Sequence, residues 1–482
     1  MQPSPMNQGH SEAHQAGALR NPLQPAPTDT LRVGSRRWFL QTGLAGLAGL
    51  SLADTLRLRA AATGSDLRNR DPRAVILFWL SGGPSQIDMW DTKPDAPQEI
   101  RGPYRTMATS VPGIRVCEHL PLQARLMHKL TVIRSVDCSA SDHTPITMQA
   151  GNPLARRTND GRDGGGYPSM GSVAARFRGA NDRHMPAFVG LANSLRADVW
   201  GAGHMGPTYE PVNGNELPGR LSLPEGLSLA RLQQRTELRR QFDALRQSAD
   251  AGEAHPIDRY ADMAYDMVLS QRVEQAFAID REPDRVRDAY GRTSVGEKAL
   301  LARRLVEAGT TFAVVSGAWG YFDHHGDNVP PWGGIQSGLT PILPTVDRAL
   351  CALIEDLEVR GLLDSTLILM LGEFGRSPVM TADGGRNHWT RVMSMLLAGG
   401  GLRHGQVIGS TDSRGGEIRD RRVIPSDLAA TVFQHLQIPL DAQWVTPLGR
   451  PIPIVADDGR PIRELDQRDF TSYFSNQAST RR

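Results

Sequence analysis

Seven consecutive apolar residues, Ala74 to Leu80 (AVILFWL), run without a break into SGGPSQIDMWD. An unbroken apolar run of that length suits a strand buried on both faces, as in a parallel sheet covered by helices. The pattern recurs. LTVIRSV (Leu130–Val136) leads into DCSASDHTPITMQAG, TFAVVSG into AWGYFDHHGDN, and STLILML into GEFGRSP and then GGRNHW. MPAFVGLA (Met185–Ala192) and VMSMLLAGG are further strand candidates. Helical periodicity fills the gaps between the later strands, in EKALLARRLVEAG, around Pro341–Arg360 and in SDLAATVFQHL. Ser294 and Glu297 have capping-box spacing, and Ser426 stands at an N-cap position. Strands alternating with helices predict an α/β sandwich with a mostly parallel central sheet and helices on both faces. Ligands of such sheets gather beyond the carboxyl ends of the strands. The four polar clusters are therefore expected along one edge.

Composition narrows the function classes. Lys and Arg number 54 against 52 Asp and Glu, and a net charge of +2 gives no electrostatic reason to expect nucleic acid. The 49 Gly and 33 Pro exceed the roughly 12 % average share of the two types, so long loops on a rigid scaffold should carry the site. The three cysteines form no CxxC, which argues against a thiolate zinc site or a redox pair. Cys351 reads as a small core hydrophobe, and a Cys117–Cys138 disulfide stays an alternative.

Residues 1–34 are Pro-, Gln- and Ser-rich without apolar period and are expected to be disordered. SRRWFL then places the pair Arg36-Arg37 before a short Gly/Ala/Leu run and the small cluster Ala60-Ala61-Ala62. That order predicts a twin-arginine (Tat) export signal over 35–62, with a run too short to span a membrane and a mature protein in the periplasm or outside the cell. The main domain is expected over 63–460, with a helical insertion at about 226–292 and a tail from 461 to 482.

YFDHHGDN packs Asp323, His324, His325 and Asp327 into five residues. Asp323 and His325 are two apart and share a side in an extended segment, whereas His324 points away. Imidazole and carboxylate without thiolate suit zinc, manganese or iron. Glu373 ends a buried run, where a carboxylate needs a partner or a metal. Arg376 is its local partner, or else a planar fork for a phosphate or sulfate oxyanion. Asp88 and Asp91 bracket Trp90, either capping a turn or serving a site.

Together, GGPSQIDMWDTKPDAP, SVPGIRVCEHLP, the DHTPITMQAG region, FDHHGDN, GEFGRSP, GRNHW, LLAGGGLRHGQVIGSTD and SDLAATVFQHLQIP resemble a family of Tat-exported proteins common in planctomycetes and described as a domain of unknown function. It lies within the alkaline phosphatase and sulfatase superfamily, and the resemblance covers about 72–456. It implies an alkaline phosphatase-like sandwich and a metal-dependent hydrolase of phosphate, sulfate or related esters. The implied cofactor is a divalent ion, zinc first, with manganese, iron or calcium as alternatives. The implied partner is a small anionic ester or a sulfated or phosphorylated glycan. Asp323, His325 and His388 look like one metal's ligands. Glu373 stands where the superfamily has an Asp of the second metal, and Phe374 where it has that metal's His. Ser81-Gly82-Gly83 replaces the usual first-strand Asp, leaving Asp88 as a later metal candidate. No C-x-P-S-R follows Cys138, which disfavours a formylglycine sulfatase. The nucleophile is Ser141 by counting back from Gly151, or Thr144 by its place beside His143. The second reading is a degenerate member that binds an anionic glycan or a protein without turnover.

Overall fold

The computed structural model describes residues 71–157, 163–217, 230–238, 270–456 and 458–467, with a few single positions between. The expected disordered start, the export segment and most of the helical insertion lie outside the described residues.

The long apolar runs become strands. They are β1 (Ala74–Trp79), β2 (Leu130–Val136), β3 (Phe188–Leu191), β4 (Val212–Asn213), β5 (Phe312–Ser316) and β6 (Thr366–Leu371). A short hairpin of β7 (Gly375–Arg376) and β8 (His388–Trp389) follows, then β9 (Met393–Gly399) and β10 (Gln406–Ile408). All but the hairpin join one eight-stranded sheet in the order β10-β2-β9-β6-β1-β5-β3-β4. β1 lies parallel to both β5 and β6. β9 runs antiparallel to its neighbours β2 and β6 and is the sheet's one reversed strand among the described residues. β1, β2, β5 and β6 therefore all end on the same edge. The expected mostly parallel α/β sandwich is the fold.

Strand geometry splits the apolar run of β1 between two cores. Val75, Leu77 and Trp79 meet one face with Met170 and Val173 of α2 (Met170–Phe177) and Leu428 and Val432 of α5 (Pro425–His435). Ile76 and Phe78 meet the other with Leu300 and Leu305 of α3 (Ser294–Ala308) and Leu350 and Ile354 of α4 (Thr340–Val359). Each such side chain contributes about 1.5–3 kcal/mol on burial. Two further helices, Arg272–Phe277 and Asp284–Tyr290, form the described end of the expected insertion. A short α1 (Ile146–Ala150) follows the loop after β2 and ends on Gly151 at φ 57°.

Local details depart from the sequence reading. Thr293, not Ser294, caps α3, its hydroxyl accepting from Gly296 N at 3.2 Å. The start of α5 is held by Asp427, whose carboxylate accepts from Ile424 N at 3.2 Å, while Ser426 is buried. All three cysteines are buried and unpaired. Ile462 and Leu465, placed in a tail by the sequence reading, join the core beside α5. No described helix is long and apolar enough to cross a membrane.

Candidate metal centre

The loop after β5 delivers Asp323 to the carboxyl edge of the sheet, and three imidazoles close on it. His325 Nε2 and His388 Nε2 each lie 3.0 Å from Asp323 Oδ1, and 2.9 Å from one another. His143 Nε2 lies 3.2 Å from the second oxygen, Oδ2. The four residues come from three distant segments. His143 follows β2, Asp323 and His325 follow β5, and His388 opens β8, where it pairs with Arg376 across the hairpin.

Glu373 sits just past β6, fully buried, and reaches the same group through His143. Its Oε1 is 3.2 Å from His143 Nδ1 and accepts from Gly82 N at 2.8 Å, while its Oε2 is buried without a partner among the described residues. A carboxylate on the far ring nitrogen fixes an imidazole's tautomer and aims the other nitrogen, as is usual for metal-bound histidines. The Ser81-Gly82-Gly83 turn makes this possible. Gly82 has φ 106°, and a Cβ there would lie 2.6 Å from Asp323 N. A backbone donor, Gly82 N, is thus packed directly under Asp323.

Arg376 corrects an expectation. It forms no hydrogen bond or ion pair with Glu373 among the described residues and is shut off from solvent. Its guanidinium is buried and donates to Asp323 Oδ1 at 2.5 Å, to Gly83 O at 2.9 Å, to Arg386 O at 3.0 Å and to the carbonyls of Gly82 and Phe322. A side chain so enclosed cannot grip a substrate oxyanion; it tethers Asp323. Asp88 is likewise drawn off. It forms a buried pair with Arg386, Nε to Oδ2 at 2.6 Å, and accepts from Ser85 Oγ. It joins two loops and takes no part in the cluster.

The hydroxyl candidates stay apart. Thr144 Oγ1 donates to Asp142, and Ser141 Oγ is buried with no partner among the described residues. Neither bonds a cluster residue. Phe374, set against a second-metal histidine in the expectation drawn from the resemblance, is a buried ring whose centroid lies 4.5 Å from that of His388. It forms an apolar wall, so no second imidazole site exists there. His324 turns into the core, with Nδ1 2.9 Å from Trp332 O, and burial pushes its pKa down to about 4. Asp327 accepts from Gly334 N and Ser337 Oγ in a turn, and Asp91 from Thr411 Oγ1.

Electrostatics suit a cation. Burial pulls the Asp323 carboxyl up, but His143, His388 and Arg376 outweigh it and hold it well below the usual carboxylate range. Burial, aided by the Arg376 charge, lowers the His388 pKa and favours the neutral ring. For His143 burial acts downward, yet Asp323 and Glu373 together push its pKa up to about 9. His143, Asp323 and His388 offer ligand atoms within 4.8 Å of one another. His325 lies outside that group of three but packs against it, 2.9 Å from His388 Nε2 and 3.0 Å from Asp323 Oδ1. Neighbouring ligands of a tetrahedral zinc with bonds of about 2.0–2.1 Å stand roughly 3.3 Å apart. The triangle of His325, His388 and Asp323 is only slightly tighter. Two ring nitrogens facing each other beside one oxygen conflict unless a proton or a cation lies between them, so the residues present fit a divalent ion.

A pH dependence follows. Below about 9 His143 holds a proton in the metal-free protein, which an ion must displace. Zinc affinity is expected to rise about tenfold per pH unit between pH 6.5 and 9 and to level off above, as read by competition with a chelator.

Residues 72–465 match a family model described as "Protein of unknown function (DUF1501)". The chain belongs to the DUF1501 family. None of the curated proteins compared with this DUF1501 member matches it. Among solved structures it is similar to the phosphonate monoester hydrolase SpPMH from Silicibacter pomeroyi, at 12 % identity over 82 % of this chain and 76 % of that one, TM-score 0.35. It is also similar to the PsFucS1 sulfatase from Pseudoalteromonas sp., at 13 % identity over 83 % and 75 %, TM-score 0.37. The phosphonate monoester hydrolase of Agrobacterium radiobacter gives 15 % identity over 82 % and 77 %, TM-score 0.35. Likenesses this loose transfer no residue roles, and the DUF1501 site stands on its own geometry.

Asp323, His325, Glu373, His388 and Asp88 were expected as ligands, and His143 as a catalytic residue beside a nucleophile. Asp88 stays outside the cluster, His143 joins Asp323 and His388 in it, and Gly82 and Phe374 form its walls. The adjacent glycines after β1 were the one local signal for that close approach.

Proposed function

We propose that the protein is a metal-dependent hydrolase of phosphate, sulfate or related esters that works outside the cytoplasm. The convergence of three imidazoles on Asp323 carries the reading. Asp323, His325 and His388 hold the ion, and His143 completes the set through Nε2, aimed by Glu373. When bound, a divalent ion supplies Lewis-acid polarisation of the ester and of an attacking water. Phe374 keeps one wall dry, which strengthens charge interactions inside, and Arg376 holds Asp323 ionised and in place. Zinc suits three nitrogens and one oxygen best, with manganese or iron next.

The buried Arg376 and the detached hydroxyls also favour a second reading, in which the same site binds an anionic glycan or a partner without turnover. One experiment separates the two. Protein purified without chelator is assayed for metal content and for turnover of aryl phosphates, phosphodiesters and aryl sulfates. One ion per chain with turnover of at least one ester class is expected. Metal without turnover on any of them leaves the binding reading, and no stoichiometric metal removes both the ion and the hydrolase.

Export is part of the proposal. Arg36→Lys with Arg37→Lys is expected to hold the protein in the cytoplasm, as followed by cell fractionation. Normal export of that double variant, or in cells lacking the twin-arginine translocase, overturns the signal.

A further inference from the structure

Trp319 stands in the turn between β5 and Asp323 and is 45 % exposed. Its ring lies nearly parallel to the His143 imidazole, with 17° between planes and 5.4 Å between centroids. One part of the indole thus covers a ligand of the proposed ion, and the rest faces solvent at the rim of the cluster. The indoles of Trp90, Trp200 and Trp389 all donate to protein acceptors. The Trp319 N–H forms no hydrogen bond among the described residues.

An exposed tryptophan whose N–H forms no hydrogen bond suits a ligand with an apolar face and a polar rim. A pyranose ring has that form: C–H bonds on its face and hydroxyls around its edge. We propose that Trp319 is the stacking platform for the pyranose ring of an anionic saccharide ester. The anionic part rests on the hydrolase reading, whereas the ring subsite stands on Trp319 and its neighbours. The short span from Trp319 across His143 to Asp323 places the platform under the sugar that itself carries the ester, not under a distant unit of a chain.

Calorimetric titration with glucose 6-sulfate, glucose 6-phosphate, p-nitrophenyl sulfate and inorganic sulfate tests this, with metal content read on every sample. Wild type is expected to bind the sugar esters at least about tenfold more tightly than inorganic sulfate, and Trp319→Leu to lose about tenfold on the sugar esters alone. Trp319→Phe keeps an aromatic face and is expected to recover most of that loss. Equal sugar-ester binding by wild type and Trp319→Leu overturns the platform, as does wild-type preference for the p-nitrophenyl ester. A Trp319→Leu protein that loses its metal also overturns it, because the ring would then serve only to shield His143. Wild type that lacks metal yet binds sugar esters through Trp319 removes the hydrolase reading and keeps the platform.

Discussion

Asp323→Asn is expected to abolish stoichiometric metal binding, with a loss in affinity above about hundredfold, and to remove ester turnover with it. Replacing a group that merely orients a ligand typically costs about 10–100-fold, and Asp323 is the hub that His143, His325, His388 and Arg376 all contact. The amide keeps the shape and removes the charge, so three imidazoles lose their shared anion. The buried Arg376 guanidinium loses its counter-ion at the same time. Metal analysis and turnover of the ester panel check the outcome. Retention of one ion per chain by Asp323→Asn would place the metal elsewhere.

Arg376→Met is expected to destabilise the protein by roughly 3–5 kcal/mol, the usual cost of breaking a buried charged pair by removing one partner. Methionine fills much of the volume, yet the carbonyls of Gly82, Gly83, Phe322 and Arg386 lose their donor. Asp323 is then held only by imidazoles, so metal affinity should fall as well, by about tenfold or more. The midpoint of urea unfolding and metal content report the two effects separately. A variant of wild-type stability and metal content that shows only a raised KM for anionic esters would instead put Arg376 on the substrate.

Several parts of the site could be read locally because they lie at the end of a strand that local sequence defines. Asp323 and His325 follow β5 within one loop, and Glu373 directly follows β6. A continuous apolar run specifies a strand buried on both faces, and parallel neighbours necessarily bring equivalent ends together. The grouping of four polar clusters on one edge follows from those two facts. The direction of β9 does not. VMSMLLAGG is as apolar as the parallel strands of the sheet, and only the short connection after the β7–β8 hairpin turns it round.

Partner choice within the cluster belonged to the tertiary structure. Arg376 is three residues from Glu373 and chose Asp323, 53 residues away. Asp88 pairs with Arg386 across 298 residues, and His143 bridges to Asp323 across 180 and to Glu373 across 230. No local spacing encodes these contacts. The sequence by itself determined which residue types reach the carboxyl edge, because burial and strand period act over a few neighbouring residues. Strand order and the close approach at Gly82 decided which of them touch. A buried charge bonds to whatever the packing brings within about 3 Å, and that is settled by the sheet and not by distance along the chain.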